Sequence, residues 1–334
     1  LIQSMSFAAP DDGWAASHYG EFHHWDGADW TLVTIPVNPS TLFSDLSMQA
    51  SNEGWAISCD YDGHYCLNGT IWHWDGTVWV PQWSDSGTSL SSLVMRSAGD
   101  GWVTGSTSPT DGVLLHWDGS SWNAETPPDD PGISVQAAVG PNEVWATTWD
   151  GPNPSEQTIW RWNGQSWVAG DEVRFRDTFA AVAVVAADDA WLAGSGAGNS
   201  PLPTPYGVLF HWDGAVWTRV TLPEAITVYY NYTGLAFSGP NDGWLVGTGG
   251  LMVRWNGGTW QQVTHSSTAS LNGVAAPTPG VAWAVGAGGT ILHWNGTAWT
   301  QLASPTSATL RGVVALGPGE AWAVGDGGTI IHGI

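Results

Sequence analysis

Six histidines at matched positions, His24, His73, His116, His211, His293 and His332, are the first residues whose type and spacing could do chemistry. Six imidazoles would suggest a metal site. They stand one per repeated segment, however, and the matching places in two further segments hold Arg161 and Arg254. A guanidinium is no zinc ligand, whereas both side chains donate hydrogen bonds. The expectation is a structural donor to a turn or to a neighbouring segment, with no metal and no cofactor. "DYDG" at 60–63 begins like an oxygen-ligand calcium loop, but the later ligand positions hold no matching acid. The acid pair Asp129–Asp130 lies in "PPDDPG", a Pro-rich turn where solvated carboxylates are the default. No nucleophile–base constellation stands out, so catalysis is not expected. Two suitably separated carboxylates hydrolysing a glycoside are the residual enzymatic alternative.

Cys59 and Cys66 are the chain's two cysteines, in "SCDYDGHYC". A metal site needs more ligands than one such pair, so a disulfide closing a hairpin is expected, and with it an oxidising compartment. Two reduced thiols in a cytosolic protein are the alternative. Charge excludes other partners. Thirty acids against seven bases, all of them Arg, give a net charge of −23. Nucleic acid or an anionic membrane surface would be repelled. No apolar run is long enough to span a bilayer, so membrane insertion is not expected.

The elements that must position these residues are legible from repetition. With 44 Gly, 26 Trp and only 11% charged residues, the chain suits short strands and tight turns. One phrase recurs as "FHHWDGADW", "IWHWDGTVW", "LLHWDGSSW", "IWRWNGQSW", "LFHWDGAVW", "MVRWNGGTW" and "ILHWNGTAW". A second phrase, "NEGWAIS" or "NDGWLVG" for example, precedes each copy. Its Trp falls at Trp14, Trp55, Trp102, Trp145, Trp191, Trp244, Trp283 and Trp322, a period of 39 to 53 residues. Twelve residues before each Trp lies an apolar or aromatic residue, from Ile2 to Leu310. Each segment therefore reads as four short strands, the last two joined by an Asp-Gly or Asn-Gly turn that needs positive φ. A period near 40 with four strands per unit predicts an all-β fold, a β-propeller. Each second-strand Trp is expected to fill the gap between neighbouring blades. Seven full segments and one ending at "TIIHGI" predict eight blades in one domain, the last three-stranded, with boundaries near 1–40, 41–87, 88–130, 131–176, 177–229, 230–268, 269–307 and 308–334. Seven blades are the alternative.

"DGTVW" and "NGTAW" resemble the turns of Asp-box (BNR-like) propeller repeats, in which an Asp turn and a following Trp join the two outer strands. Here the turn is shorter and no Ser precedes the Asp. The "AWAVG…GTILHW" layout is similar to that of photosystem II assembly-factor propellers and of Trp-rich propellers in bacterial surface proteins. The resemblance implies a fold. Sialidases share Asp-box propellers, and membership of that class would imply three arginines clamping a carboxylate, with a Tyr–Glu nucleophile pair. Arg161 and Arg254 occupy repeat positions, and the other arginines are scattered without an Arg-Ile-Pro signature. No clamp is visible.

The repeats differ in one loop type. From the second-strand Trp to the His or Arg position, segments one, six, seven and eight span 10 residues, whereas segments two to five span 18, 14, 16 and 20. These longer loops (57–70, 105–112, 147–157 and 195–207) join strands two and three, on the face that carries the segment-to-segment connections. Variable loops on a rigid scaffold are where binding groups concentrate. The candidate contacts are Tyr61, His64, Tyr65, Trp149, Asp150 and Tyr206, aromatic residues or neighbours of them outside the repeat. Trp72 and Trp160 fall one place before the His/Arg position and read as core. The reading is a non-enzymatic propeller, extracellular or at a bacterial cell surface, that recognises a protein or peptide partner. A glycan-binding lectin is the alternative, and neutral variation of tolerant surface loops is the bland one. Leu1 is read as the start of a processed product or fragment. Thr329, Ile330 and Ile331 are expected to form an open edge, with exposed Ile side chains, for strand addition by another chain or self-assembly.

Overall fold

The structure, a computed structural model, describes residues 2–17, 20–35, 37–108, 111–125, 133–139, 143–149, 157–169, 177–196, 206–227 and 229–333. It is an eight-bladed β-propeller. Among the described residues 31 strands form eight antiparallel sheets, each a meander in chain order, seven with four strands and the last with three. The seven-blade alternative is thereby overturned: the final segment makes a sheet of its own. The blades span 2–33, 41–85, 89–125, 133–169, 177–219, 232–262, 271–301 and 310–332. The chain divides into two compact units, Leu1–Glu172 and Val173–Ile334, with four blades in each. No helix among the described residues is long and apolar enough to cross a membrane.

Strand two of each blade is packed on both faces, so it reads as continuous small and apolar residues and not as an alternation. Asp12–Ser17 and Val281–Gly286 are buried at every position but the first. The indoles between blades explain the second phrase. Trp14 meets Trp74 and Trp79 of the next blade at 4.7 and 5.5 Å between ring centroids. Trp55 meets Trp117 and Trp122 at 4.7 and 5.3 Å, and Trp102 meets Trp162 and Trp167 at 4.9 and 5.2 Å. In the second unit Trp191 and Trp244 repeat the arrangement on Trp255–Trp260 and Trp294–Trp299. Tilted and edge-on geometries dominate, as the aromatic quadrupole favours.

The Asp or Asn of the first phrase builds its own turn. Asp26 Oδ1 accepts the N–H groups of Ala28 and Asp29, both at 2.9 Å, and Gly27 takes φ 91°. Asn256 and Asn295 make the same pair of bonds, so an amide oxygen serves as well as a carboxylate.

Where the repeated histidines hydrogen-bond, the partner is an acid of their own blade and not a neighbouring blade, which corrects the expectation, although the His116 ring also meets Trp162 of the next blade at 5.9 Å. Each histidine lies over the indole of its own blade, and all but His293 meet an acid two residues before that Trp. His24 stacks on Trp14 at 4.4 Å, and its Nε2 meets Asp12 Oδ1 at 2.8 Å. His73–Glu53, His116–Asp100 and His211–Asp189 follow at 2.9–3.0 Å, and Arg254–Asp242 makes the same link at 3.0 Å. The reason is strand periodicity: residues i and i+2 share a face, so the acid and the indole both meet the ring opposite. Blade 7 has Val281 at the acid position. There the buried His293 Nε2 has no hydrogen-bond partner, and burial lowers the His293 pKa. Val281→Asp is expected to stabilise the chain by roughly 0.5–1 kcal/mol, as a part-exposed pair does. In the parent, stability tied to His293 is lost as pH falls below the ordinary imidazole value, because the unfolded chain binds the proton more readily. The variant should lose that dependence, and the His293 ring titration followed by NMR should move upward.

Blade 8 ends with Thr329–His332, which pairs with Glu320–Gly325 and forms the outer edge of its sheet. Ile331 points inward and packs with Val285, Ile291 and Leu310, contrary to the expectation that it is exposed, whereas Ile330 is half-buried. Alternation along the strand sends Ile331 to the core face.

Candidate functional site

Blade 2 departs furthest from the repeat within the described residues. In blade 7 strands two and three have six and four residues and are joined by the turn Ala287–Gly289. In blade 2 they are Glu53–Tyr61 and Cys66–Trp74, nine residues each. The added pairing, Asp60 with Leu67 and Tyr61 with Cys66, carries the hairpin beyond the blade. Cys59 and Cys66 are joined across it as a disulfide, with Cα atoms 5.5 Å apart. Closing so short a loop contributes about 2–3 kcal/mol by chain-entropy arithmetic.

The tip reuses the turn of the outer hairpins. Asp62 Oδ1 accepts the N–H groups of His64 and Tyr65 at 2.8 and 2.7 Å, and Gly63 takes φ 97°. Those N–H groups hold the Asp62 carboxyl below its ordinary pKa. Its Oδ1 is engaged in the turn, as in the outer hairpins. The Tyr61 hydroxyl donates to Gly63 O at 2.9 Å and holds its ring across the tip.

The hairpin presents aromatic and apolar surface. Tyr61 is 42% exposed, Tyr65 70% and Leu67 36%. The remaining strongly exposed large hydrophobic residues among those described lie on other blades or at outer turns (Leu32, Val78 and Val168) or in the connection between blades 5 and 6 (Tyr229). His64 is exposed beside Tyr65, ring centroids 6.4 Å apart. Isolated exposed apolar residues are normal, whereas a cluster on one rigid loop marks a contact surface.

A cavity of about 240 Å³ opens at the base of the hairpin. Asn38 and Thr41, from the connection that enters blade 2 and the start of its first strand, line one side. Ser58 and Asp60 line another, and Trp72 and Pro81 close it. The connection is tied to the hairpin by the Tyr61 N–H, which donates to Ser40 O at 2.9 Å. Loop 57–70 thus shares its face with the blade-to-blade connection, as expected. Trp72 is 7% exposed and is core, as read from its position; its indole N–H donates to Ser58 Oγ at 2.8 Å. Asn38, Thr41 and the cavity role of Asp60 were not legible, because no periodic pattern links residue 38 with residue 60. The one available signal is an acid, shared with Asp150 of blade 4, where five other blades have Thr107, Gly196, Gly249, Gly288 or Gly327, five residues past the second-strand Trp.

The other candidates fare differently. Trp149 ends strand Glu143–Trp149 opposite Gln157. Asp150 lies outside the described residues, as do 109–110, 151–156 and 197–205 of the other long loops. Tyr206 is corrected: it is 4% exposed and begins the third strand of blade 5. Its ring lies over Gly196, its partner across the sheet, with the Arg219 guanidinium 5.7 Å from the ring centre. A glycine opposite leaves space that an aromatic ring fills, so this tyrosine is packing.

No protein-family model matches the chain, and no curated protein matches its sequence. Solved structures do match. Ycf48 bound to D1 peptide is 16% identical with a TM-score of 0.57, over 100% of this chain and 93% of that one. Chaetomium thermophilum Sqt1 bound to the N-terminus of ribosomal protein L10 is 11% identical with a TM-score of 0.71, over 99% and 96%. A prolyl endopeptidase is 12% identical with a TM-score of 0.62, over 99% of this chain but only 52% of that one. At such identities the likeness is one of fold, and the fold it shows for this chain is a β-propeller.

Proposed function

We propose that the chain is a non-enzymatic scaffold propeller that binds an extended peptide or protein segment on the loop face of its first unit, centred on the disulfide-closed hairpin of blade 2. The observation that carries this reading is the cluster of Tyr61, Tyr65 and Leu67 on a hairpin held by a disulfide, an Asp turn and the Tyr61–Gly63 bond. A rigid loop loses little entropy on binding, so aromatic contacts on it convert efficiently into affinity. Two propellers of similar fold hold peptides, which supports the class of ligand. The disulfide supports an extracytoplasmic location, and the Asp- and Asn-capped outer turns support kinship with Asp-box repeats.

A selection of displayed random peptides on the oxidised chain tests the reading. Binders are expected, and the double variant Tyr61→Ala, Tyr65→Ala should weaken them at least about tenfold, some 1.4 kcal/mol, with an unchanged melting temperature. A glycan array that yields ligands at several blades, with no peptide selected, would instead establish the lectin.

A further inference from the structure

The cavity at the base of the hairpin holds one charged group without a counter-charge. Asp60 is the single ionisable residue in its lining. Oδ1 accepts the Thr41 hydroxyl at 2.9 Å, and Oδ2 accepts the Asn38 amide at 2.9 Å and, more distantly, that of Asn68 at 3.5 Å. These donors are neutral: they aim the carboxylate but leave its charge. Among the described residues no Arg or His forms an ion pair with it, whereas Asp12, Glu53, Asp100, Asp189 and Asp242 each have one. Oδ1 keeps a lone pair for a further donor.

The walls add a second requirement. The Trp72 indole N–H is already bonded to Ser58, so the ring offers the cavity apolar surface and no donor. Pro81 and Val37 contribute more of the same. At about 240 Å³ the space is smaller than the roughly 300–1,000 Å³ of pockets for whole small molecules. It fits one long side chain with an apolar stem and a cationic head. The fold does not demand Asp60, since every other blade but the fourth, which has Asp150, does without an acid there, and the chain's net charge of −23 draws cations toward this face.

We propose that this cavity is the subsite for one basic side chain, arginine or lysine, of the peptide partner. The cationic head docks on Asp60, the stem lies against Trp72 and Pro81, and Tyr61 and Tyr65 grip the neighbouring peptide residues. The inference rests on the peptide-binding reading above.

Peptides selected on the oxidised chain from a random displayed library, measured by fluorescence anisotropy at low and high salt, provide the test. Asp60→Asn keeps the acceptor for Thr41 and removes the charge. The selected peptides are expected to share one Arg or Lys position. They should lose about tenfold in affinity on Asp60→Asn, lose a similar factor when that residue is replaced by Gln, and weaken with salt. Peptides without a common basic position, weakened by Tyr61→Ala and Tyr65→Ala but not by Asp60→Asn, would overturn the subsite and leave the peptide-binding reading standing. No selectable peptide at all would remove both. If Asp60→Asn alters the melting temperature, the Gln-substituted peptide measured on the parent chain decides alone.

Discussion

Trp55→Ala should destabilise the first unit by about 3–5 kcal/mol in denaturant unfolding, the range for removing a fully buried large aromatic side chain. Trp55 is 1% exposed and touches three rings: His73 of its own blade, and the Trp117 and Trp122 pair of the next, with Trp117 and Trp122 themselves in contact. Truncation removes the common member of that cluster and leaves a cavity between two blades that cannot close, because each sheet is rigid. Val78→Ala, at an exposed outer turn, is the control and should stay within about 0.5 kcal/mol. A loss below about 1 kcal/mol for Trp55→Ala would mean that the interblade indoles are not what holds neighbouring blades together.

The second large effect is expected at Asp45. In blades 6, 7 and 8 the matching inner-strand position is Gly234, Gly273 or Gly312, and the backbones approach so closely that a Cβ on Gly273 would lie 3.4 Å from Gly312 Cα. In blade 2 a carboxylate stands there and joins three blades. Its Oδ1 accepts the Ser4 hydroxyl of blade 1 at 3.0 Å and the Leu46 N–H at 2.9 Å; its Oδ2 accepts the Leu93 N–H of blade 3 at 3.0 Å. Asp45→Ala leaves those donors without their acceptor and should cost about 3 kcal/mol. Some of the Asp45 surface still reaches solvent, but protein surrounds the carboxylate on most sides, and this desolvation raises its pKa despite the three bonds. The folded chain therefore holds this proton at a pH where the unfolded chain has released it. The Asp45 contribution to stability declines as pH rises from the ordinary carboxylate value through the raised one. The gap between parent and Asp45→Ala should accordingly narrow over that window when unfolding free energy is measured against pH. A gap that widens would show that the hydrogen bonds, and not burial, govern this carboxylate.

Fold and blade count were legible because the repeat states them at several levels. The Trp positions give the period, the Asp-Gly and Asn-Gly turns give the outer hairpins, and the apolar residue twelve places before each Trp gives the inner strands. Less legible was what depends on contact across blades. The acid of the "D-x-W" phrase reads as part of a turn until the sheet register sets it opposite a histidine. Asp45 breaks a pattern visible only once Gly234, Gly273 and Gly312 are seen at close approach. Tyr206 looks like a loop aromatic because Gly196, which it covers, lies ten residues earlier. In the candidate site, Tyr61, His64, Tyr65 and the disulfide could be read from composition and spacing. The cavity could not, since Asn38 meets Asp60 through a connection with no periodic signal.

The central claim, that blade 2 presents a peptide-binding hairpin, is tested most directly by hydrogen exchange with a selected peptide bound. Amides of 37–41 and 57–70 should gain protection on binding, with the rest of the first unit unchanged. Reduction of Cys59–Cys66 should lower both the affinity and that protection, because the hairpin loses its fixed shape. Protection confined to other loops, with 57–70 exchanging as in the free chain, would contradict the account.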